Sequence, residues 1–113
     1  MLLKDVMIPG SKLLQTMADK LNRTIPAVEN WKNLAFKLEI PNDEIRKFEG
    51  MTRESERTSP TIEVMKWVAA KFPDTCLTDV VRALDKIQRN DAVIIITEEF
   101  PDTVGEWKRE VTV

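Results

Sequence analysis

The chain has 113 residues, 42% apolar and 32% charged, a balance that suits one globular domain with its own core and argues against long disorder. A net charge of −2 and a sequence pI of 5.2 speak against a general nucleic-acid binder. With no histidine, a single Cys76 and three scattered glycines, the chain has no Cys/His metal centre, no internal disulfide and no glycine-rich phosphate loop.

No apolar run reaches the roughly 18 residues of a membrane span. The opening MLLKDVMIPG is too short in its apolar part for a signal peptide. A single cysteine fits a reducing compartment, and the expected location is the cytoplasm, alone or as the intracellular part of a membrane receptor. Asn22-Arg23-Thr24 matches a glycosylation sequon and is read as coincidence in such a chain. Asp43-Glu44 and Glu98-Glu99 are adjacent carboxylates, which diverge on a helix and read as solvated surface. No catalytic residue, cofactor site or metal-ligand set is expected, and the chain does not read as an enzyme.

In chain order, Leu13, Leu14, Met17, Ala18 and Leu21 form one helical face, with Ser11 as N-cap, over residues 11–22. Trp31, Leu34, Ala35 and Leu38 repeat the pattern over 28–39, with Asn30 as a capping residue. Pro41 stops that segment. Asn42 caps a short helix over 43–49, with Ile45 and Phe48 inward and Gly50 as the left-handed residue after its end. Residues 51–58 lack apolar period and read as loop or frayed helix end. Ser59-Pro60 marks a new start. Ile62, Met65, Val68, Ala69 and Phe72 define the inward face of a helix over 60–71, with Val64 and Trp67 at its edges. Leu77, Val80, Val81, Leu84 and Ile87 predict an amphipathic helix over 76–88.

Residues 91–100, DAVIIITEEF, carry four β-branched residues in a row, which suit a strand. A strand needs a partner, and only EWKREVTV at 106–113 offers one, as a hairpin with 92–97. The favoured reading is a helix capped by Asn90, with Val93, Ile94 and Ile96 facing the core.

The stretches NWKNLAFKLEI (30–40), EIRKFE (44–49), SPTIEVMKWVAAKFPD (59–74) and LTDVVRALDKIQRNDAV (77–93) together resemble the death domain family. Trp31 with Leu34 and Ala35, Trp67, and the run Leu77, Leu84, Ile87, Arg89, Asp91, Val93 match the family's pattern. Within the family, SPT…W…FPD..L looks most like netrin-receptor cytoplasmic death domains, with weaker similarity to interleukin-receptor-associated kinases and ankyrins. The resemblance covers about residues 10–100 of a single domain, leaving 101–113 as a tail. It implies an all-α antiparallel bundle of six helices in Greek-key order, without catalysis. It also implies homotypic binding to other death-domain proteins, or to itself, in intracellular signalling of the apoptotic, receptor or innate-immune kind.

The expected core comprises Trp31, Leu34, Leu38, Ile45, Phe48, Met65, Trp67, Val68, Leu77, Val81, Leu84, Ile87 and Val93. The expected partner-binding residues are charged. Asp43, Glu44, Arg46 and Lys47 surround the buried pair of the third helix, and Arg53 and Arg57 follow it. Lys66, Lys71 and Asp74 lie along and after the fourth. Arg82, Lys86 and Arg89 make a basic strip on the fifth, opposed by an acidic end at Asp91, Glu98, Glu99 and Asp102. Cys76 reads as structural. Trp107 either caps the bundle's edge or serves a partner. Val111-Thr112-Val113 fits a PDZ-type C-terminal contact. Two alternatives remain open: an autoinhibitory or scaffold domain packing on its own chain, and a small nucleic-acid binder using the basic strip. Neither nucleic-acid binding nor membrane insertion is expected.

Overall fold

The computed structural model describes residues 2–8, 10–23, 30–54 and 59–101. Among these, seven helices form: α1 (Leu3–Val6), α2 (Lys12–Leu21), α3 (Trp31–Lys37), α4 (Asn42–Glu54), α5 (Pro60–Lys71), α6 (Leu77–Lys86) and α7 (Asn90–Glu99). No named strand occurs among the described residues; Leu2 and Cys76 make one isolated antiparallel bridge.

Helix α2 starts where Ser11 Oγ accepts from the Leu14 amide at 3.2 Å, and all five residues of its apolar stripe are buried. At α3, Asn30 Oδ1 accepts from the Lys32 amide (3.0 Å), and the Asn30 amide donates to Asn33 Oδ1 (2.9 Å). That reciprocal pair satisfies donors that the first turn leaves open. Helix α6 begins at Cys76, whose amide donates to the Asp79 carboxylate at 2.9 Å. Its stripe Leu77, Val80, Val81, Leu84, Ile87 is buried throughout.

Helices α3 and α6 end alike. Glu39 (φ 65°) and Gln88 (φ 59°) adopt the left-handed conformation just beyond their helices. The Ile40 amide then reaches back to Ala35 O (3.1 Å), and the Arg89 amide to Leu84 O (2.9 Å). The residue before each closes the inner bond, Glu39 to Phe36 O and Gln88 to Asp85 O. These are Schellman ends, which use the last carbonyls of the helix and turn the chain sharply.

Helix α5 lies at the centre, packing against α1, α2, α3 and α4. Helix α2 packs on α5 and α7, α3 on α4, α5 and α6, and α6 on α7. A helix with neighbours on several sides buries more than one stripe. Thr61, Val64, Met65 and Val68 are therefore buried, and Ile62 and Trp67 pack half-buried against the core.

The structure corrects several sequence expectations. Helix α1 is an addition: Leu3 and Met7 are buried, and the Leu3 amide bonds Thr75 O at 2.9 Å, tying the N-terminal segment to the α5–α6 turn. Helix α3 is shorter than 28–39, beginning after Asn30 and ending before Leu38. Helix α4 runs well past 49, so Gly50 is inside a helix and residues 51–54 are helical. The Pro41 carbonyl accepts from the Glu44 and Ile45 amides, which places Asn42 inside the first turn and not at the cap. Asn90 likewise is the first helical residue of α7, after Arg89. Residues 92–97 are helical, which removes the hairpin, and 106–113 lie outside the described residues. Ile94 faces outward, 55% exposed, while Ala92 and Ile96 carry the contact with the core. Phe72, expected inward, is 47% exposed, packed edge-on against Trp67 with ring centroids 5.7 Å apart.

Of the expected core, Trp31, Leu34, Phe48, Met65, Val68, Leu77, Val81, Leu84 and Ile87 are buried; Leu38, Ile45, Trp67 and Val93 are half-buried against it.

Candidate interaction surfaces

Helix α4 is amphipathic, with Phe48 buried and Ile45 half-buried on one side. Asp43, Arg46 and Lys47 are exposed on the other, and Glu44 is half-buried. Glu49, one turn further, pairs with Lys32 of α3 and with Arg53 at 3.7 Å. That ion-pair group leans α3 on α4 from outside, and at this exposure each pair is worth only about 0.2–1 kcal/mol.

A shallow depression joins α4 to α5, where Glu44 and Lys47 meet Lys66 over Met51 and Trp67. Three of the expected residues, from two segments, thus share one surface. Lys66 also bonds Glu63 at 3.5 Å. Lys71 and Asp74 are exposed at the end of α5 and in the turn after it.

A second surface lies between the end of α3, the end of α5 and the side of α6. Leu38, Val68, Phe72 and Ala83 line a groove of about 370 Å³, with Lys37, Arg82 and Lys86 at its edges. Arg82 pairs with Asp79 at 3.4 Å. An adjoining depression shares Lys37 and includes Phe36, which is 64% exposed. Phe36 and Lys37 were not singled out from the sequence. Their signal was position: both lie off the Trp31–Leu34–Ala35–Leu38 stripe.

Arg89 does not belong to an exposed strip. It is 6% exposed, and its guanidinium grips Asp91 at 3.0 and 2.8 Å and reaches Lys20 O of α2 at 3.5 Å. The hydrogen bond to Asp91 raises the Arg89 pKa above its ordinary value against the opposing effect of burial. The same bond holds the Asp91 carboxyl below the usual aspartate range, helped by the charge of Arg89, the Ala92 amide and the charge of Lys20. The corner between α6 and α7 is fastened to α2 by this fork, which a lysine could not reproduce.

Asn22 also has a structural task. Its Oδ1 accepts from the Thr61 amide (3.1 Å) and hydroxyl (2.6 Å), and its Nδ2 donates to Ser59 Oγ (2.9 Å). The sequon's asparagine is therefore committed to the start of α5. Arg57, Trp107 and Val111-Thr112-Val113 lie outside the described residues. Among the described residues no cluster of three or more Cys, Asp or Glu could hold a metal ion, and no helix is long and apolar enough to cross a membrane.

Among the described residues the chain is thus a helical bundle with a closed core, most of its charged side chains and three shallow depressions lying on the surface. The chain belongs to the death domain family, whose model matches residues 14–100, most of its length. Comparison with curated proteins found no match, and neither did comparison with solved structures. Death domains are generally non-catalytic modules that bind other death domains in signalling.

Proposed function

We propose that this domain binds other death domains through the charged face of α4, bringing the segments attached to it together in intracellular signalling. The observation that carries the reading is the placement of Asp43, Arg46 and Lys47 on the open side of a helix anchored by Phe48, with Lys66 brought alongside from α5. Mixed charge on a rigid face sets partner choice and register more than raw affinity. The SPT start and FPD end of α5 resemble netrin-receptor death domains, which supports a cytoplasmic position in a receptor tail or adaptor.

The test measures binding of the purified domain to a panel of purified death domains, itself included. The comparison protein carries Asp43→Lys with Glu44→Lys. Binding to at least one member, lost in the variant while its helical circular dichroism and melting temperature stay close to those of the parent, is expected. Binding that survives both changes removes the α4 face from the account, and a parent domain that binds no member refutes the reading.

A further inference from the structure

We infer that residues 2–8 form a strap that opens as a unit while the rest of the bundle stays folded, and that its opening uncovers an apolar seat on α5 and α6. The device is separate from the α4 face and stands whether or not that face is used.

The strap is closed by burial and not by its own helix. Helix α1 is four residues long, its N-cap Leu2 offers no side-chain acceptor, and a single turn does not hold itself in water. Leu3, with no exposed surface, and Met7, 2% exposed, lie four residues apart and so on one face. Through that face α1 packs on α5 and α6. Two backbone links join it to the turn between them: the Leu3 amide donates to Thr75 O at 2.9 Å, and Leu2 makes its antiparallel bridge with Cys76.

The seat keeps its shape without the strap. The Thr75 amide donates to Phe72 O at 3.0 Å, which closes the α5–α6 turn from within, and the Cys76 amide is held by Asp79. At the strap's other end the Ser11 amide meets Ile8 O at 3.0 Å, and Gly10 takes a φ of 92° with nothing inside 4 Å of an added Cβ. Glycine holds that backbone without strain, so the chain pivots there. Ser11 caps α2 just beyond the pivot, so α2, like α6, stays capped whether the strap is shut or open. The family model matches from residue 14, which leaves the strap outside the matched bundle. A segment held by two side chains and two backbone links opens at lower free energy than the helices it covers. Cys76, the one cysteine of the chain, stands opposite Leu2 in the bridge, so its thiol reports the state of the strap.

The test is amide hydrogen exchange of the full 113-residue chain, read residue by residue by NMR in water and in low concentrations of urea. The Leu3 and Met7 amides are both hydrogen-bonded and are expected to be protected, yet to exchange about 100-fold or more faster than those of Val68, Val81 and Leu84. Their rates should not respond to low urea, because the opening exposes little surface. Exchange at the rate of the α5 and α6 amides with the same urea slope would overturn the strap, as would no protection at all. The second measurement is the rate at which Cys76 reacts with a small aromatic disulfide, with ANS emission as the report of exposed apolar surface. Leu3→Lys is expected to speed the thiol about tenfold or more and to raise ANS emission, with the Val81 and Leu84 amides still protected. Ile8→Lys, at a position 50% exposed, should change neither. A Leu3→Lys chain whose thiol reacts like the parent's, whose ANS emission does not rise, or whose whole bundle melts by circular dichroism would each overturn the inference.

Discussion

Asn22→Ala should be among the most damaging polar substitutions in this domain. The start of α5 leaves its first amides without helical partners. Ser59 Oγ accepts from the Ile62 amide at 3.3 Å, but it cannot also serve Thr61. Asn22, from the end of α2, supplies that acceptor and takes the Thr61 hydroxyl as well, at a residue with no exposed surface. Removing the amide strands two donors in the interior. Each stranded donor costs about 1–3 kcal/mol, less where water can follow, so the expected loss is about 2–3 kcal/mol. For a domain of this size that lowers the melting temperature by roughly 10 °C. The assay is urea and thermal unfolding of the parent, Asn22→Ala, Thr61→Val and the double variant. Because Thr61→Val removes one of the stranded donors, it should cost about 1 kcal/mol less in the Asn22→Ala background than in the parent. Asn22→Asp keeps the acceptor, adds a negative charge at a helix start, and should stay within about 1 kcal/mol of the parent. A loss below about 0.5 kcal/mol for Asn22→Ala, or a cycle that is simply additive, would refute the reasoning.

Gly50→Ala should stabilise the domain by about 0.5–1 kcal/mol, because Gly50 sits within α4 with nothing inside 4 Å of an added Cβ. Glu39→Gly and Gln88→Gly should do the same by up to about 1 kcal/mol, since both residues hold left-handed backbone that glycine adopts without strain; urea midpoints of the three variants check this. Asp91 titrates below its usual value of 3.8 in the folded state, so the stability from its bond to Arg89 is present above that value and lost as pH falls through the lower folded one. Asp91→Asn should therefore be less stable than the parent at neutral pH, with the two unfolding curves converging at acid pH. Leu3→Ala should cost about 2–4 kcal/mol if α1 belongs to the core, and a cost under about 0.5 kcal/mol would detach it.

The parts of the fold legible in the sequence are those with one neighbour side and a clear apolar period. The stripes of α2 and α6 and the Ser59-Pro60 start are examples, and residues 91–100, favoured as helix over a hairpin with 106–113, form α7 up to Glu99. What escaped has identifiable physical causes. Glutamate and glutamine hold the two Schellman ends, whereas composition pointed to Gly50, because tertiary packing of Ile40 and Arg89 overrides local preference. Helix α4 outran its apolar residues because Met51 and Thr52 lie half-buried in a polar run, with Thr52 Oγ1 bonding Phe48 O. Phe72 was placed inward because α5, surrounded by four helices, has no single stripe to extend. Arg89 looked like one member of a basic row at i, i+4, i+7, yet the chain turns before it and delivers it to Asp91 and the end of α2. The charged residues around α4 were legible as surface; that Lys66 would lie beside Glu44 and Lys47 was not, because it depends on how α4 crosses α5.

The central claim is that this domain works by binding its own kind through its surface, with a closed core behind it. The most direct measurement is an amide-resolved NMR titration of the labelled domain with unlabelled death domains, itself included. The account predicts concentration-dependent shifts gathered on the exposed face of α4 and the neighbouring part of α5, with the amides of Leu14, Met17 and Leu84 unmoved. Saturating addition that shifts nothing, or shifts spread through those buried positions, would contradict it.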